Sequence, residues 1–504
     1  MKNKMLWLPG LLAIGSTITF AQERPNILVI ITDDQTYESI GALNNPDIQT
    51  PNLDRLTRQG TSFTHAYNQG SWSGAVSVAS RSMLITGQYL NRARKNDSHL
   101  EGWARTKHSG PATSVPLWGE TFRKAGYKTF MTGKWHNSTS ALLSSFDEAR
   151  RVGYGFYESK SADGKKLQYN RGTANHHWSP TDAQMGGHWQ PLLKDIVVEN
   201  KERKVSKSYQ LQRHTSEVYG DAAIEFLQQQ KNGQPFFMYV AFNAPHDPRQ
   251  SPRRFVERYP AEKMPLPHNF QPEHPFDQGD RKVRDEILAP FPRTPEAVRL
   301  HRSEYYALIT YTDEVIGRIL DELERSGLDK NTIVIFTSDH GLAVGSHGLM
   351  GKQNLYEHTI RVPLIFKGPN IQPNVKTDGM VYMQGLYATT CDLAGIPVPS
   401  TVDFPSLLPQ LQQPQSKGQE YIWGSYRQHQ RMIRSERYKL IVYPKVKQIQ
   451  LFDMEKDPYE TKNLAHKDRY KKIVTEYFAR LQAHQKKFED TLNMGAPSEY
   501  LTTK

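Results

Sequence analysis

Ser77-Val78-Ala79-Ser80-Arg81, followed closely by Thr86-Gly87, is the most informative stretch of this sequence. If a helix begins here, Ser77 and Arg81 lie on one face, because residues four apart in a helix are neighbours. The arginine then lies beside the serine at a helix N-terminus, which attracts anions. Gly87 fits the end of such a helix. An ordinary helix start at the surface is the alternative for this stretch taken alone.

Apolar runs that predict buried strands recur along the chain, and polar residues follow each of them. The four pairs are Pro25 to Thr32 before Asp33-Asp34, Tyr127 to Met131 before Lys134 and His136, Pro235 to Phe242 before His246, and Thr332 to Phe336 before Asp339-His340. In open α/β sheets, ligands bind beyond the carboxyl ends of the strands. We therefore expect these polar groups to meet at one site. A solvated acidic turn or a basic surface loop is the alternative for each motif by itself.

Helical patterns separate these strands. The predicted helices among these strands include Leu117 to Gly126, Val218 to Gln229 and Ser303 to Gly327. This alternation predicts an α/β domain with a large, mainly parallel sheet flanked by helices. A further strand is predicted from Val362 to Phe366, and a Pro-rich extended excursion from 248 to 295. Residues 140–215 suit long loops, which often carry specificity.

The C-terminal part of the chain has a different pattern. Short strands from 421 to 453 and a closing helix from Tyr470 to Phe488 predict a smaller α+β subdomain with an antiparallel sheet. Residues 397–418, rich in Pro, Gln and Ser, mark the boundary. We expect a catalytic domain over 22–410 and a C-terminal subdomain over 411–504.

Residues 1–21 predict a signal peptide. Lys2 and Lys4 precede a mostly apolar segment that ends near a plausible cleavage site at Ala21. This segment is interrupted and too short to span a membrane comfortably, and no other stretch predicts a transmembrane helix. We expect export to the periplasm or beyond. The single cysteine, Cys391, excludes an intramolecular disulfide and is predicted to be a buried core residue.

The chain is basic. Its formal net charge is +12, which becomes +10 when Lys2 and Lys4 leave with the signal peptide. A positive balance can steer polyanions to a protein. No nucleic-acid recognition motif is present in the sequence. Sulfated or acidic polysaccharide is therefore the more natural polyanion for an exported protein, with general solubility as the alternative reason for the charge.

Three carboxylates and one imidazole predict a cation site. They are those of Asp33, Asp34, Asp339 and His340. Oxygen ligands favour a hard ion, Ca²⁺ or Mg²⁺, while the imidazole leaves Zn²⁺ or Mn²⁺ open.

The stretch from Ser77 to Gly87 resembles the active-site signature of type I sulfatases, which are formylglycine-dependent members of the alkaline phosphatase superfamily. That signature is Cys or Ser, any residue, Pro or Ala, any residue, Arg, then four residues and Thr-Gly. Ser77 and Ala79 occupy positions where Cys and Pro are commoner. The chain thus resembles the serine-type branch among exported bacterial carbohydrate sulfatases. Residues 451–464 resemble the family's C-terminal motif, so the resemblance covers nearly the whole mature chain.

The resemblance implies a fold, a modification and a reaction. The fold is alkaline phosphatase-like. A radical-type maturing enzyme oxidises Ser77 to formylglycine, whose hydrate attacks the sulfur of a sulfate ester. Residue 77 then joins the four groups of the predicted cation site in binding Ca²⁺, and His340 replaces the commoner Asn. The catalytic residues implied are Ser77, Arg81, Lys134, His136, His246 and Lys352.

Each of these side chains has an implied task. Arg81 and Lys134 steady the hydrate and the sulfate. His136 assists the nucleophile, and His246 protonates the leaving alcohol. Lys352 contacts the sulfate and the leaving oxygen.

The substrate is predicted on weaker signals. Export, basic charge and aromatic-rich loops favour a carbohydrate sulfate, and family likeness alone favours galactose or N-acetylgalactosamine. The predicted substrate-binding residues are His177, Asp247, Arg249 and Arg427. Two other functions stay open: a phosphodiesterase or phosphonate hydrolase of the same superfamily, and a sulfated-glycan binding protein in which Ser77 is never matured.

Overall fold

The computed structural model describes residues 24–95, 115–153, 178–230 and 233–501. The predicted signal peptide and His177 lie outside these ranges. Among the described residues, no helix is both long enough and apolar enough to cross a membrane.

Strands and helices alternate along most of the chain. The described strands are β1 (Asn26–Asp33), β2 (Thr61–Phe63), β3 (Ala66–Tyr67), β4 (Gly70–Ser71), β5 (Lys128–Lys134), β6 (Glu148–Gly153), β7 (Leu192–Lys194), β8 (Ile196–Glu199), β9 (Glu202–Val205), β10 (Tyr209–Gln210), β11 (Phe236–Pro245), β12 (Thr332–Ser338), β13 (Arg361–Val362), β14 (Leu364–Lys367), β15 (Val375–Thr377), β16 (Val381–Tyr382), β17 (Ile422–Tyr426), β18 (Gln430–Arg434), β19 (Tyr438–Tyr443) and β20 (Gln448–Asp453). The described helices are α1 (Pro51–Gln59), α2 (Val76–Thr86), α3 (Leu90–Lys95), α4 (Trp118–Lys124), α5 (Thr139–Ser145), α6 (Thr215–Gln228), α7 (Arg253–Val256), α8 (Pro295–Arg325), α9 (Glu357–Ile360), α10 (Leu386–Ala394), α11 (Leu408–Gln412), α12 (Lys471–Lys487) and α13 (Ser498–Leu501).

A ten-stranded mixed sheet forms the centre of the molecule, in the order β10-β7-β6-β5-β11-β1-β12-β14-β2-β15. The five strands from β6 to β12 in this order are parallel to one another. Antiparallel neighbours flank them on both sides, at β7 and at β14. The predicted fold class, a mainly parallel sheet in an α/β domain, is confirmed.

Both faces of the sheet are covered by helices, which explains why its strands are apolar throughout. Successive side chains of a strand point to opposite faces. On β1, Leu28 and Ile30 pack in one core with residues of α6 and α8. Ile27, Val29 and Ile31 pack in a second core with residues of α4 and α10. Cys391 lies in this second core, fully buried and free, as predicted.

Two predicted elements have different bounds in the structure. Helix α8 begins at Pro295, eight residues before the predicted start and directly at the end of the predicted Pro-rich excursion. Thr294 accepts a hydrogen bond from the Ala297 amide at 3.2 Å and caps the helix. The strand predicted from Val362 to Phe366 divides at Pro363 into β13 and β14, which belong to different sheets.

The C-terminal sheet confirms the predicted antiparallel subdomain and adds one strand from elsewhere. Strands β17 to β20 pair antiparallel in sequence order. Strand β4, more than 300 residues earlier, pairs parallel with β17 at the sheet edge. The predicted division at residue 410 stays a prediction, but this sheet draws from both sides of it.

A buried ionic cluster also joins the two parts of the chain. The Lys439 ammonium on β19 lies 3.1 Å from Glu357 and 2.7 Å from Glu460. Glu357 additionally pairs with Arg434 at 3.1 Å and accepts a hydrogen bond from the Tyr67 hydroxyl at 3.1 Å. The lysine is fully buried. Its charge therefore balances carboxylates that water cannot reach.

Replacing Lys439 with Met should strongly destabilise the protein, because it leaves buried carboxylates without their partner. Loss of one member of a buried pair costs about 3–5 kcal/mol. Urea denaturation measures the change in the free energy of unfolding.

The matched control is Lys447→Met. Lys447 pairs with Glu499 at 2.7 Å, but its side chain is 46% exposed. We expect a loss of no more than about 1 kcal/mol for an exposed pair. Equal losses in the two variants would contradict the assigned role of Lys439.

Candidate active site

The ends of four adjacent parallel strands bring the predicted polar residues together. Strands β5, β11, β1 and β12 lie side by side. Asp33 and Lys134 are the last residues of β1 and β5. His246 and Asp339 directly follow β11 and β12.

Two of the site residues have left-handed backbones. The φ angle is 68° at Asp34 and 60° at His136. Such conformations are uncommon for residues other than Gly and recur at functional sites. At Asp34 the chain has just left the strand, so both adjacent carboxylates can turn to the same side.

Ser77 lies in the first turn of α2, a helix that is buried along its whole length. The helix ends at Gly87, where φ is 67°, as the sequence predicts. The Ser77 hydroxyl donates to the Asp33 carboxylate at 3.0 Å, and the Lys352 ammonium lies 3.5 Å from the same hydroxyl. Lys134 also pairs with Asp33. The serine is thus held between a carboxylate and a cation.

Arg81 lies one helical turn beyond Ser77 and is fully buried. Its Nε donates to the Asp339 carboxylate at 2.9 Å, and its Nη1 donates to the Lys134 carbonyl at 2.9 Å. The Ser80 hydroxyl donates to the Asp339 carbonyl at 2.7 Å. Helix α2 is therefore fixed to the ends of two strands of the sheet.

Asp34 forms the third pair of the site. Both of its carboxylate oxygens accept from the Lys352 ammonium at 2.7 Å. Its backbone amide donates to the Asp339 carboxylate at 3.2 Å. The His246 Nε2 lies 3.8 Å from an oxygen of Asp34.

The carboxylates of the site differ in how well nearby cations balance them. Against the effect of burial, the charges of Lys134 and its neighbours hold the pKa of Asp33 well below its usual range. Burial raises the pKa of Asp34 well above its usual range, and the charges of Asp33 and Asp339 add to this effect against the opposing charge of Lys352. Three carboxylates crowded in a buried space repel one another. A divalent ion would relieve this repulsion, and carboxylate oxygens suit Ca²⁺ or Mg²⁺.

The set of possible metal ligands that lie close together in the structure differs in part from the set predicted from the sequence. Ligand atoms of Asp33, Asp34 and His246 lie within 4.8 Å of one another. Ser77 and Asp339 are each hydrogen-bonded to one of these aspartates. The His340 Nδ1 donates to the Gly341 carbonyl at 2.9 Å, so its Nε2 keeps a lone pair for a metal. Burial lowers the pKa of His340 to about 3, and a neutral imidazole suits a metal ligand.

A pocket of about 220 Å³ opens above these groups. Ser77, His136, His246 and Lys352 line it. The other lining residues are Gly74, Ala75, Val283, Arg284, Asp285 and Gln353. No sequence signal marks Arg284, Asp285 or Gln353, because they lie on irregular segments without a motif.

The predicted substrate-binding residues are occupied by other contacts. Arg284 pairs with Asp247 through both guanidinium nitrogens. The Arg249 guanidinium contacts the His301 ring at 2.6 Å and is buried. Arg427 pairs with Asp280 at 3.1 Å at the surface. Their predicted contact with substrate stays a prediction, and Asp247 serves in this structure to hold Arg284 at the pocket wall.

A pair of buried histidines supports the loop that carries His246. The His188 Nε2 donates to the His246 carbonyl at 3.1 Å, while its Nδ1 contacts the Thr215 hydroxyl at 2.6 Å. The His214 ring stacks on His188, with centroids 4.9 Å apart. In the sequence, His188 lies in a segment rich in His and Trp. The spacing of these residues does not predict that His188 supports the loop that carries His246.

The fold and the site define a hydrolytic centre for an anionic ester, with buried cations around a serine. Two family models match the chain. The sulfatase model matches residues 25–396. A model of the C-terminal part of N-sulphoglucosamine sulphohydrolase matches residues 345–487.

Similar proteins were found in bacteria and in mammals. A sulfatase of Formosa agariphila is 27% identical over 90% of this chain and 85% of its own length. An N-acetylglucosamine-6-O-sulfatase of Bacteroides thetaiotaomicron is 26% identical, over 93% and 87% of the two chains. A structure solved in complex with its substrate D-glucosamine-2-N,6-O-disulfate superposes with a TM-score of 0.70 at 22% identity, covering 93% of this chain and 99% of that one.

The chain belongs to the sulfatase family. It is a sulfuric ester hydrolase with the alkaline phosphatase-like fold that the sequence resemblance implied.

Proposed function

We propose that the protein hydrolyses the sulfate ester of a carbohydrate through a formylglycine made from Ser77. The position of Ser77 carries this proposal. Its hydroxyl bonds to Asp33 at 3.0 Å, lies 3.5 Å from the Lys352 ammonium and faces a pocket shared with His136 and His246. When formed, the aldehyde of residue 77 supplies a hydrated nucleophile.

The chain's own cations would hold the sulfate group. Lys352 lines the pocket, while Arg81 and Lys134 are buried directly behind Ser77. Each of them is paired with a carboxylate, so the three charges are fixed in place before substrate arrives. Fixed charges stabilise a developing negative charge without reorganisation. The N-terminus of α2 contributes a further positive partial charge.

Asp33, Asp34, Asp339, His340 and residue 77 are proposed to hold Ca²⁺. The ion would supply charge to bind the sulfate oxygens. The Nε2 atom of His246 can either bind the metal ion or donate a proton, because a ring nitrogen that coordinates a metal carries no proton. We assign its Nε2 to proton transfer, since His340 provides the alternative imidazole.

His246 would pass a proton to the leaving alcohol. Its Nδ1 donates to the Asp247 carbonyl at 2.7 Å, which leaves Nε2 as the reactive atom. Burial and then the charge of Lys352 lower the pKa of His246 to about 3. A bound sulfate ester offsets the Lys352 charge and thereby favours the protonated ring.

The names of the similar proteins support a carbohydrate sulfate as the substrate class. One relative is named as an N-acetylglucosamine-6-O-sulfatase, and one similar structure contains a glucosamine disulfate as its substrate. The galactose or N-acetylgalactosamine configuration stays a prediction, as do export and maturation by a radical-type enzyme.

Replacing Ser77 with Ala should abolish sulfate release, since no nucleophile can form. The protein is co-produced with a serine-competent maturase, and sulfate release is followed on 4-nitrophenyl sulfate and sulfated sugars. Mass spectrometry of the Ser77 peptide should show the loss of two hydrogens in the parent protein. Ser82→Ala, in the same helix, should keep both the modification and turnover. Substantial release by Ser77→Ala, or faster cleavage of a phosphate diester by the parent protein, would overturn the proposal.

Calcium should stabilise the protein independently of activity. Binding at 100 times the Kd adds about 2.7 kcal/mol to the free energy of unfolding. The melting temperature of chelator-treated protein should rise on adding Ca²⁺, and Asp33→Asn should lose this rise. Asp313→Asn changes a buried aspartate on α8, outside the site, and should keep it. A calcium response that survives Asp33→Asn would contradict the assigned ligands.

His188→Ala should lower kcat while leaving KM nearly unchanged, because His188 positions His246 without facing the pocket. A displacement of about 1 Å can cost 10²-fold in rate. His188→Gln, which keeps a donor, should recover part of kcat. A rise in KM alone, or equal loss in both variants, would show that His188 has no positioning role.

A further inference from the structure

A second and larger cleft lies beside the catalytic pocket. Its volume is about 650 Å³, within the 300–1,000 Å³ typical of ligand sites. We call it the basic cleft, and its main lining residues are Trp72, Asn91, Arg94, Lys95, Arg427 and Gln428.

The charge of the basic cleft is positive. Arg431 also lines it, so four cationic side chains face two carboxylates, those of Glu489 and Asp490. Asp490 is held by Arg431 at 2.5 Å, and Glu489 by Lys95 at 2.5 Å. Arg94 is exposed and makes no ion pair within the described ranges. Arg427 is paired with Asp280 at 3.1 Å, so Arg94 carries the excess positive charge that remains for an anionic ligand.

The Trp72 ring and the side-chain amides of Asn91 and Gln428 are suited to binding a sugar ring. The Trp72 ring is only partly buried, and an indole offers a flat apolar face with a polar edge. The C–H face of a pyranose ring packs on such a surface. Gln428 offers an amide donor and acceptor for hydroxyl groups, and Asn91 offers its amide oxygen, since its nitrogen donates to the Phe488 carbonyl at 2.8 Å.

Two chain segments run from the basic cleft into the catalytic pocket. Trp72 lies two residues before Gly74, which lines the pocket, so their Cα atoms are at most about 7 Å apart. Arg427 pairs with Asp280, three residues before Val283 on the pocket wall. The cleft and the pocket are neighbours.

The sizes of the two spaces indicate how they share a substrate. The catalytic pocket, at about 220 Å³, is below the usual range for a whole ligand. It accommodates a sulfated ring end, and the remainder of a longer substrate must lie outside. The basic cleft is the adjoining space, and its chemistry matches a chain of charged sugars.

We propose that the basic cleft binds the neighbouring units of a polyanionic sugar chain whose sulfate ester lies in the catalytic pocket. This inference rests on the proposed function. It makes the protein an enzyme of sulfated oligosaccharides rather than of free sulfated monosaccharides.

The test is a binding measurement that does not depend on turnover. Ser77→Ala protein is titrated with heparin and chondroitin sulfate hexasaccharides, and with maltohexaose as a neutral probe. We expect one of the sulfated hexasaccharides to bind and maltohexaose not to bind. Adding Trp72→Ala or Arg94→Gln should weaken binding about tenfold, and added salt should weaken it further.

The matched control is Arg58→Gln, which removes an exposed arginine from α1. It should leave hexasaccharide binding unchanged. In the matured protein, Trp72→Ala and Arg94→Gln should keep the hydrolysis of 4-nitrophenyl sulfate, which is too small to reach the cleft.

The results separate the two proposals. Equal binding by the Trp72, Arg94 and Arg58 variants, or no binding of any sulfated hexasaccharide, overturns the role of the cleft. If the hexasaccharide binds through the cleft but the matured parent protein releases no sulfate from any substrate, only the proposed function is overturned.

Discussion

Three buried carboxylates lie at the carboxyl ends of the central strands, and each pairs with a cation of its own. The structure of the site depends on these three ion pairs. Lys134 pairs with Asp33 and Lys352 with Asp34, while Arg81 pairs with Asp339. A buried carboxylate without a partner is costly. The pairs fix the positions of the three cations, and cations held in this way are suited to a sulfate group.

The three ion pairs connect structural elements that the hydrogen bonds of the sheet do not join. Arg81 lies on α2 and Lys134 at the end of β5, whereas Lys352 comes from an irregular segment. Each of these three cations holds a different part of the chain against the ends of β1 and β12, where the aspartates lie. Ser77 benefits from this support, because Arg81 on the next turn of the same buried helix fixes that helix to Asp339. The serine, the cations and the carboxylates are therefore positioned by one network.

The aspartates and Lys134 were predictable from sequence because each follows an apolar run that ends in polar residues. Ser77 and Arg81 were predictable from their spacing in a helix and from the sulfatase signature, whereas Lys352 was found only through the family resemblance. The start of α8 was also marked, by Thr294-Pro295, a capping residue and a favoured first helical residue. Other features have no local signal. The partner of Asp247 is Arg284, 37 residues away. The pairing of β4 with β17 depends on tertiary structure, as does the space between Trp72 and Arg427.

The pairing of β4 with β17 also bears on the substrate binding proposed for the basic cleft. Strand β4 leads within a few residues to Ser77, and β17 leads directly to Arg427. The backbone pairing of β4 with β17 thus joins the segment that leads to Ser77 to the segment that leads to Arg427 in the basic cleft. Under the role proposed for the basic cleft, loop changes around Arg427 would alter sugar binding without moving Ser77. A sulfatase built in this way can change its substrate while its catalytic centre stays the same.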